Sequence, residues 1–489
     1  MAPRPCVTSF SLSVLLRAGF ASALFLLGGC GSSGGPPDGG NDVDLSSPAP
    51  TPDAGAADLA QASGDLALQS GDLAQLSGDL AQPSNNPDGS ASIPVTMNDV
   101  SILFPLPSST GDIANLLSAS SSGPRGTLIP SALYPMVGPI SGSTKVATQQ
   151  GPASVSNIAA YSDLHVVAMR VDPCFASLAP DPHGAGCTAQ LRLVFQEVLP
   201  AAQESFGGVG PGASTFDSAI HAFYSLTRAE LLTLAQALVT LRKANDNGIS
   251  LGPLAPHPIM VSQGLSGALS KGVQQLILQY AGGQNLTRLT ELSNGAQPLT
   301  STDEPALWVM SGIDISNAPT GTTSPMVIPT LTGSSKLQQL DAVLPAPGNF
   351  FFANFAPATT STDDLTPLDH GSAAQLSASA RQAAFDALVR IENPALHSSN
   401  TIDCGSCHFA TPTEAFVAMP VFSLDDTASA LAFHPDGTSV TASEMMRTFS
   451  TSSIQLNIHA ISYVGQTPAI NQRVVNETAS VVEYLNKLP

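Results

Sequence analysis

Charged residues are scarce in this chain. Only 11% of its 489 residues are Asp, Glu, Lys or Arg, against a usual fraction of about a quarter. Basic residues are the scarcer kind, 17 against 37 acidic ones, which leaves a formal net charge of −20. A polyanion is held by a basic surface that displaces its counterions, so this shortage argues against nucleic acid as a partner. Aromatic residues amount to 5%, with a single Trp. No stretch approaches the roughly 18 uninterrupted apolar residues of a transmembrane helix. P-loop, dinucleotide-fingerprint and zincin motifs are missing. Gly264-Leu265-Ser266-Gly267 lacks the spacing and the strand–helix context of a hydrolase nucleophile elbow.

What is present begins at the N-terminus. Arg4 and Arg17 accompany the apolar run Ala18–Leu27, too short to span a bilayer but the size of a signal-peptide core. It ends at Leu27-Gly28-Gly29-Cys30, which resembles the lipobox of bacterial lipoproteins: Leu, two small residues, then the Cys that receives lipid. The resemblance implies a signal peptide over 1–29, cleaved before an acylated Cys30. It further implies export and lipid anchoring to a bacterial membrane, on its periplasmic side or at the cell surface. Several acyl chains hold where one would not. From Cys30 to residue 92 the chain is rich in Gly, Pro, Ser, Ala and Asp and has no aromatic, and a heptapeptide recurs from Asp58, Asp65, Asp72 and Asp79. The first three copies contain Gly and the fourth Pro, and all lack a bulky apolar pair, so the segment reads as a disordered tether rather than a coiled coil.

The six cysteines divide without remainder. Cys6 leaves with the signal peptide, Cys30 takes lipid, and Cys404 and Cys407 belong to one motif. Cys174 and Cys187 are left, and an oxidising compartment predicts a disulfide between them. Closing that short loop is worth about 3 kcal/mol on the chain-entropy model.

Residues 93–340 read as an α+β globular domain with a largely antiparallel sheet. Leu164–Val171, Ala189–Leu199 and Ser218–Leu226 are rich in β-branched and aromatic residues and predict strands; Ala306–Ile315 and Met326–Leu331 predict two more. Thr227 and Glu230 form a capping box for a helix running through Leu241 toward Asn245, and Gly267–Tyr280 predicts a second helix. His165, His221 and His257 lie in or beside apolar segments, where a histidine is usually a packing residue. No active site is legible in this part. A Pro- and Thr-rich junction covers 341–369, followed by a mainly α domain over 370–489.

That last domain contains Cys404-Gly405-Ser406-Cys407-His408. Two thiols three apart on one helical turn can both add to the vinyl groups of a porphyrin, and the adjacent His then faces the iron; C-x-x-C-H is the pattern of c-type haem attachment. Zinc and thiol–disulfide chemistry are the alternatives. Neither a second ligand pair at zinc spacing nor a preceding thioredoxin-like strand is present. With a helix predicted over Ser377–Ile391 and a final helix within Thr467–Leu488, the segment resembles a monohaem cytochrome c domain. The resemblance implies one haem c, thioethers at Cys404 and Cys407, and proximal ligation by His408. It leaves the distal ligand open among Met445, Met446, His397 and His459. The expected function is electron transfer or redox sensing with an unidentified redox partner protein. A binding or scaffold lipoprotein with a secondary haem and a haem peroxidase-like enzyme are the other readings. Replacing Cys30 by Ala should move the protein from the membrane to the soluble fraction on cell fractionation; unchanged membrane association would refute the anchor.

Overall fold

A computed structural model describes residues 93–137, 160–176, 187–200, 212–215, 218–295, 306–316, 321–328, 337–342, 363–369, 372–398, 401–426, 429–448 and 458–488, together with the backbone of 144–148 and 151–155. The expected signal peptide, Cys30 and the tether lie outside the described residues, as does most of the 341–369 junction. The described residues fall in one compact unit spanning Ser70–Pro489.

A nine-stranded sheet organises this unit. Its strands are β1 (Ser101–Leu103), β2 (Leu164–Ala176), β3 (Cys187–Pro200), β4 (Ala213–Thr215), β5 (Ser218–Leu226), β6 (Leu286–Gly295), β7 (Ala306–Ser316), β8 (Thr322–Pro325) and β9 (Leu337–Ala342). The order across the sheet is β1-β2-β3-β5-β6-β7-β8, with β4 added to β3 and β9 to β7. The pairings are antiparallel. The α+β class with an antiparallel sheet is therefore as the sequence predicts. Helices α1 (Met97–Val100), α2 (Arg228–Asn245), α3 (Pro258–Gln263) and α4 (Ala268–Tyr280) interrupt the strand order. The predicted capping box opens α2: Glu230 N–H donates to Thr227 Oγ1 at 3.2 Å and Thr227 N–H to Glu230 Oε2 at 2.9 Å.

Two details depart from the sequence reading. Strand β6 was not expected, because its apolar residues Leu286, Leu289 and Leu292 recur every third position rather than alternating. A bulge between Leu286 and Arg288 resolves this: Leu286 pairs with Tyr224 and Leu289 with Ala222, so both reach the same face of the sheet. The strand predicted over Met326–Leu331 instead ends earlier, as edge strand β8, at Pro325; Pro is tolerated at an edge, where its missing donor breaks no ladder. Residues 326–328 continue without strand pairing, and 329–331 lie outside the described residues.

Alternation along the central strands separates two unlike faces. Leu191, Leu193 and Phe195 of β3 and Ile220, Ala222 and Tyr224 of β5 belong to one core with Leu231, Leu234 and Leu238 of α2 and Val273 and Ile277 of α4. The opposite face carries Arg170, Arg192, Gln196, His221, Phe223, Arg288 and Thr290, a polar set for a covered sheet face.

The C-terminal segment covers that polar face. It comprises α5 (Ala378–Glu392), α6 (Cys404–Thr413), hairpin strands β10 (Ile461–Val464) and β11 (Thr467–Ile470), and α7 (Gln472–Lys487). Ser377 caps α5 by accepting from Ala380 N–H at 3.2 Å. The final helix starts only at Gln472, because Asn471 Oδ1 accepts from Val474 N–H at 2.9 Å and the residues before it extend into β11. Val474, Val475, Val482 and Leu485 of α7 enter the same core as Met97, Val100 and Ile102. A second core joins Leu292, Trp308 and Met310 of the sheet to Phe385, Leu388, Phe409 and Ile458.

Polar contacts fix where these layers meet. Gln196 Nε2 donates to Tyr463 O at 2.7 Å and its Oε1 accepts from Tyr463 N–H at 2.8 Å, holding the hairpin to β3. Glu477 of α7 pairs with the buried Arg170 of β2 and, at 2.8 Å, with Arg473 one turn before it. Burial alone would raise the Glu477 carboxyl; Arg170, then Arg473 and Arg192, override it and hold the group well below the usual carboxylate range. Removing one partner of a buried pair costs roughly 3–5 kcal/mol. Since 19% of the Glu477 side chain stays exposed, Glu477→Gln should cost about 3 kcal/mol by urea unfolding, and a loss below about 1 kcal/mol would contradict this docking role.

Candidate functional site

The motif residues sit where the covering segment meets the polar sheet face. Asp403 caps α6: its Oδ1 accepts from Ser406 N–H at 2.9 Å and its Oδ2 from Ser406 Oγ at 2.7 Å. Gln338 of β9 completes the clamp, donating through Nε2 to Asp403 Oδ1 at 2.6 Å and accepting from Gly405 N–H at 2.7 Å. The first turn of α6 is thereby tied to the sheet. Cys404 and Cys407, three residues apart on that turn, lie on one side of the helix. Both thiols are free and both line a cleft between α6, α7 and the sheet. Burial, with Asp403 and Cys407 adding to it, pushes the Cys404 thiol up to about 12. Burial likewise pushes Cys407 up to about 11 against the pull of Arg473. Both are neutral thiols at physiological pH, unlike the low-pKa thiolate of a disulfide exchanger.

His408 follows on the same turn. Its Nδ1 lies 2.5 Å from Ile458 O. A carbonyl oxygen accepts, so Nδ1 carries the hydrogen and Nε2 keeps its lone pair. Burial, aided by His459 and Arg192, pushes the ring down to about 4 despite that hydrogen bond, so the imidazole is neutral. A neutral imidazole with one nitrogen anchored to a carbonyl has the state and orientation of a metal-ligating histidine.

From the other side the sheet contributes Arg192 (β3), His221 and Phe223 (β5), Arg288 and Thr290 (β6) and Met310 (β7). The Arg192 guanidinium stacks over the Phe223 ring at 4.7 Å. From α7 come Arg473, Val474 and Glu477. Asn471, buried at the head of α7, leaves Nδ2 without a hydrogen bond among the described residues. His221 is half-buried, its open surface turned into the cleft, and neither ring nitrogen forms a hydrogen bond among the described residues. Burial, then Arg192, His408 and His459, drive its pKa well below the ordinary value.

The space between protein atoms in the cleft, its mouth included, is about 1030 Å³, of which about 140 Å³ admits the centre of a water-sized sphere. It is a narrow slot. Two free thiols on one helical turn, an anchored neutral imidazole and an unpartnered one form a donor set that fits a c-type haem. The room for a water-sized sphere is below the roughly 300–1,000 Å³ of pockets for drug-sized ligands, so a porphyrin in this slot would require α6 and the sheet to move apart.

The other residues singled out by sequence are distributed unevenly about the slot. His459 is 1% exposed and close to His408, with Nδ1 2.7 Å from Ser462 Oγ and its ring edge-on to Trp308 at 6.0 Å between centroids. His397 is engaged elsewhere: Nε2 lies 2.6 Å from Asp363 Oδ2 and Nδ1 3.1 Å from Thr401 Oγ1. Met445 lines a separate cavity with Glu392 and Arg447, and Met446 is 63% exposed. The structure brings neither methionine nor His397 into the slot. Cys187 stands opposite Ala176 in the β2–β3 ladder, two positions along from Cys174; the side chains of both cysteines lie outside the described residues. Among the described residues no group of three or more His, Cys, Asp or Glu is arranged to hold a bare metal ion. His221 is the residue sequence reasoning set aside. Its one signal was an imidazole at a position where β5 otherwise alternates toward a covered face.

Buried carboxyls support α6 from behind. Glu392 of α5 accepts from Thr411 Oγ1, and Glu414 pairs with Arg447. Burial, then the neighbouring Glu414 carboxyl, pushes Glu392 up; burial also raises Glu414 against Arg447. Comparison with protein-family models, curated protein sequences and solved structures finds no match to this chain. Above the ordinary value of 4.5 the folded protein still binds protons here that the unfolded chain has released, so their contribution to stability falls as pH rises through that range. The buried histidines titrate with the opposite sign, so the test is the difference between two proteins: Glu392→Gln should gain stability relative to wild type as pH rises from about 5 to 8, and a pH-independent difference would contradict this.

Proposed function

We propose that this chain is an exported, membrane-tethered c-type cytochrome that carries one covalent haem at Cys404, Cys407 and His408 and serves electron transfer or redox sensing. The single observation that carries this reading is the coincidence of the CGSCH turn with a slot lined by both of its thiols and its histidine. Each free thiol would add across one vinyl double bond, its hydrogen passing to the neighbouring vinyl carbon. Two thioethers form in this way without net oxidation. The bound group would supply a one-electron couple at iron.

The chain's own residues do the rest. Asp403 and Gln338 hold the turn so that both thiols face the slot. Ile458 O orients His408 and fixes its tautomer, which raises its basicity as a ligand. Arg192, Arg288 and Arg473 are the slot's guanidinium groups, with Arg288 paired to Asp314 and Arg473 to Glu477; a ring propionate would share them with those carboxylates. The order of helices supports a cytochrome c-like arrangement of residues 370–489: α5 before the motif, the motif opening α6, and α7 last. Asn476 of α7 donates to Glu392 O at 2.9 Å and Arg473 to Ile391 O at 2.8 Å, so the last helix packs on the end of the first. Export through the N-terminal signal leads to the compartment where haem is attached to such proteins.

Protein matured in a host able to make c-type cytochromes should give a c-type reduced pyridine spectrum with one haem per chain and haem staining that survives denaturing electrophoresis. The Cys404→Ala, Cys407→Ala double variant should lose the covalent stain. Colourless wild-type protein, or zinc on Cys404 and Cys407, would overturn the assignment.

A further inference from the structure

His221 is the least explained polar side chain in the slot. It comes from β5, flanked in the sheet by β3 and β6, and pairs with Val194 on one side and Thr290 on the other. Strands on both sides fix its backbone and hence the direction in which its side chain leaves the sheet. Neither ring nitrogen has a hydrogen-bonding partner among the described residues. Its neighbours across the slot include His408, on the wall formed by α6. The slot thus has an imidazole on each wall, one on the covering segment and one on the sheet.

The other soft or basic side chains near the slot are engaged elsewhere or less firmly placed. Met310 is in the second core with Trp308 and Leu292. His459 is held by Ser462. Met326 lines the slot from a segment past edge strand β8 that lacks a strand on either flank. Only His221 combines a fixed backbone, unpartnered nitrogens and a surface turned into the slot.

We propose that His221 is the second axial ligand of the haem, opposite His408. This rests on the haem reading above. Iron between two imidazoles is six-coordinate, low-spin and closed to small molecules. That favours electron transfer or sensing over peroxidase-like chemistry, with a potential below that of a Met/His pair. The ligand would also come from strand β5, far in sequence from the attachment motif, so the cofactor would tie the covering segment to the sheet it lies on.

The test compares matured wild type with His221→Ala and His221→Met by visible and electron paramagnetic resonance spectra and by carbon monoxide binding. Wild type should be low-spin with a bis-imidazole signature and should not bind carbon monoxide. His221→Ala should keep its covalent haem, become high-spin and bind carbon monoxide, and added imidazole should restore the low-spin spectrum. His221→Met should show a sulfur-to-iron charge-transfer band and a higher potential. A haem-loaded wild type that is high-spin or Met-ligated, or a His221→Ala protein that stays low-spin, overturns the proposal; His459→Ala, Met310→Leu and Met326→Leu then identify the ligand. If His221→Ala does not fold, His221→Met decides: a sulfur-to-iron charge-transfer band places residue 221 on the iron, and an unchanged bis-imidazole spectrum overturns the proposal. Wild type without covalent haem refutes the haem reading itself, a separate outcome.

Discussion

Guanidinium groups placed beneath a covering layer need carboxylates, and Glu477 answers that need for this fold. Arg170 and Arg192 project from adjacent strands β2 and β3 onto the same face. Exposed to water they would be unremarked; covered, they repel each other and lose hydration. Glu477 enters from α7 with Arg473 beside it, and the resulting cluster sets the height and register of α7 over the sheet. The hairpin bonds to Gln196 and the helix-end bonds to α5 follow from that placement. So does the slot, because a covering layer held off the sheet by charged side chains cannot close onto it as an apolar one would.

The slot joins residues whose chemistry differs by origin. Those of α6 are held by caps and backbone acceptors: Asp403, Gln338 and Ile458 O leave Cys404, Cys407 and His408 little freedom. Those of the sheet are held by ladder hydrogen bonds on both sides. On the reading proposed above, the slot would govern what the chain does.

Much of this was readable from local patterns. The capping box at Thr227 and Glu230, the Ser377 cap and the alternation of β3 and β5 depend on neighbours within a few positions, and each predicted its element. The CGSCH pentapeptide is equally local. What sequence did not reveal depends on distance along the chain. Strand β6 hid behind a bulge that breaks its alternation. The role of Arg170 depends on a carboxylate 307 positions away. His221 looked like a packing residue because its company in the slot, His408, Arg288 and Arg473, comes from three other elements. A pattern on one strand says which face a residue takes, not what covers it.

The account rests on one flat cofactor filling the gap between α6 and β5. An experimental density map of the protein, isolated from a host that matures c-type cytochromes, tests this most directly. It should contain a planar macrocycle bonded to the sulfurs of Cys404 and Cys407, with His408 on one face and His221 on the other, and α6 displaced outward from the sheet. A closed slot with a Cys404–Cys407 disulfide, or a lone metal ion on the two sulfurs, would contradict it.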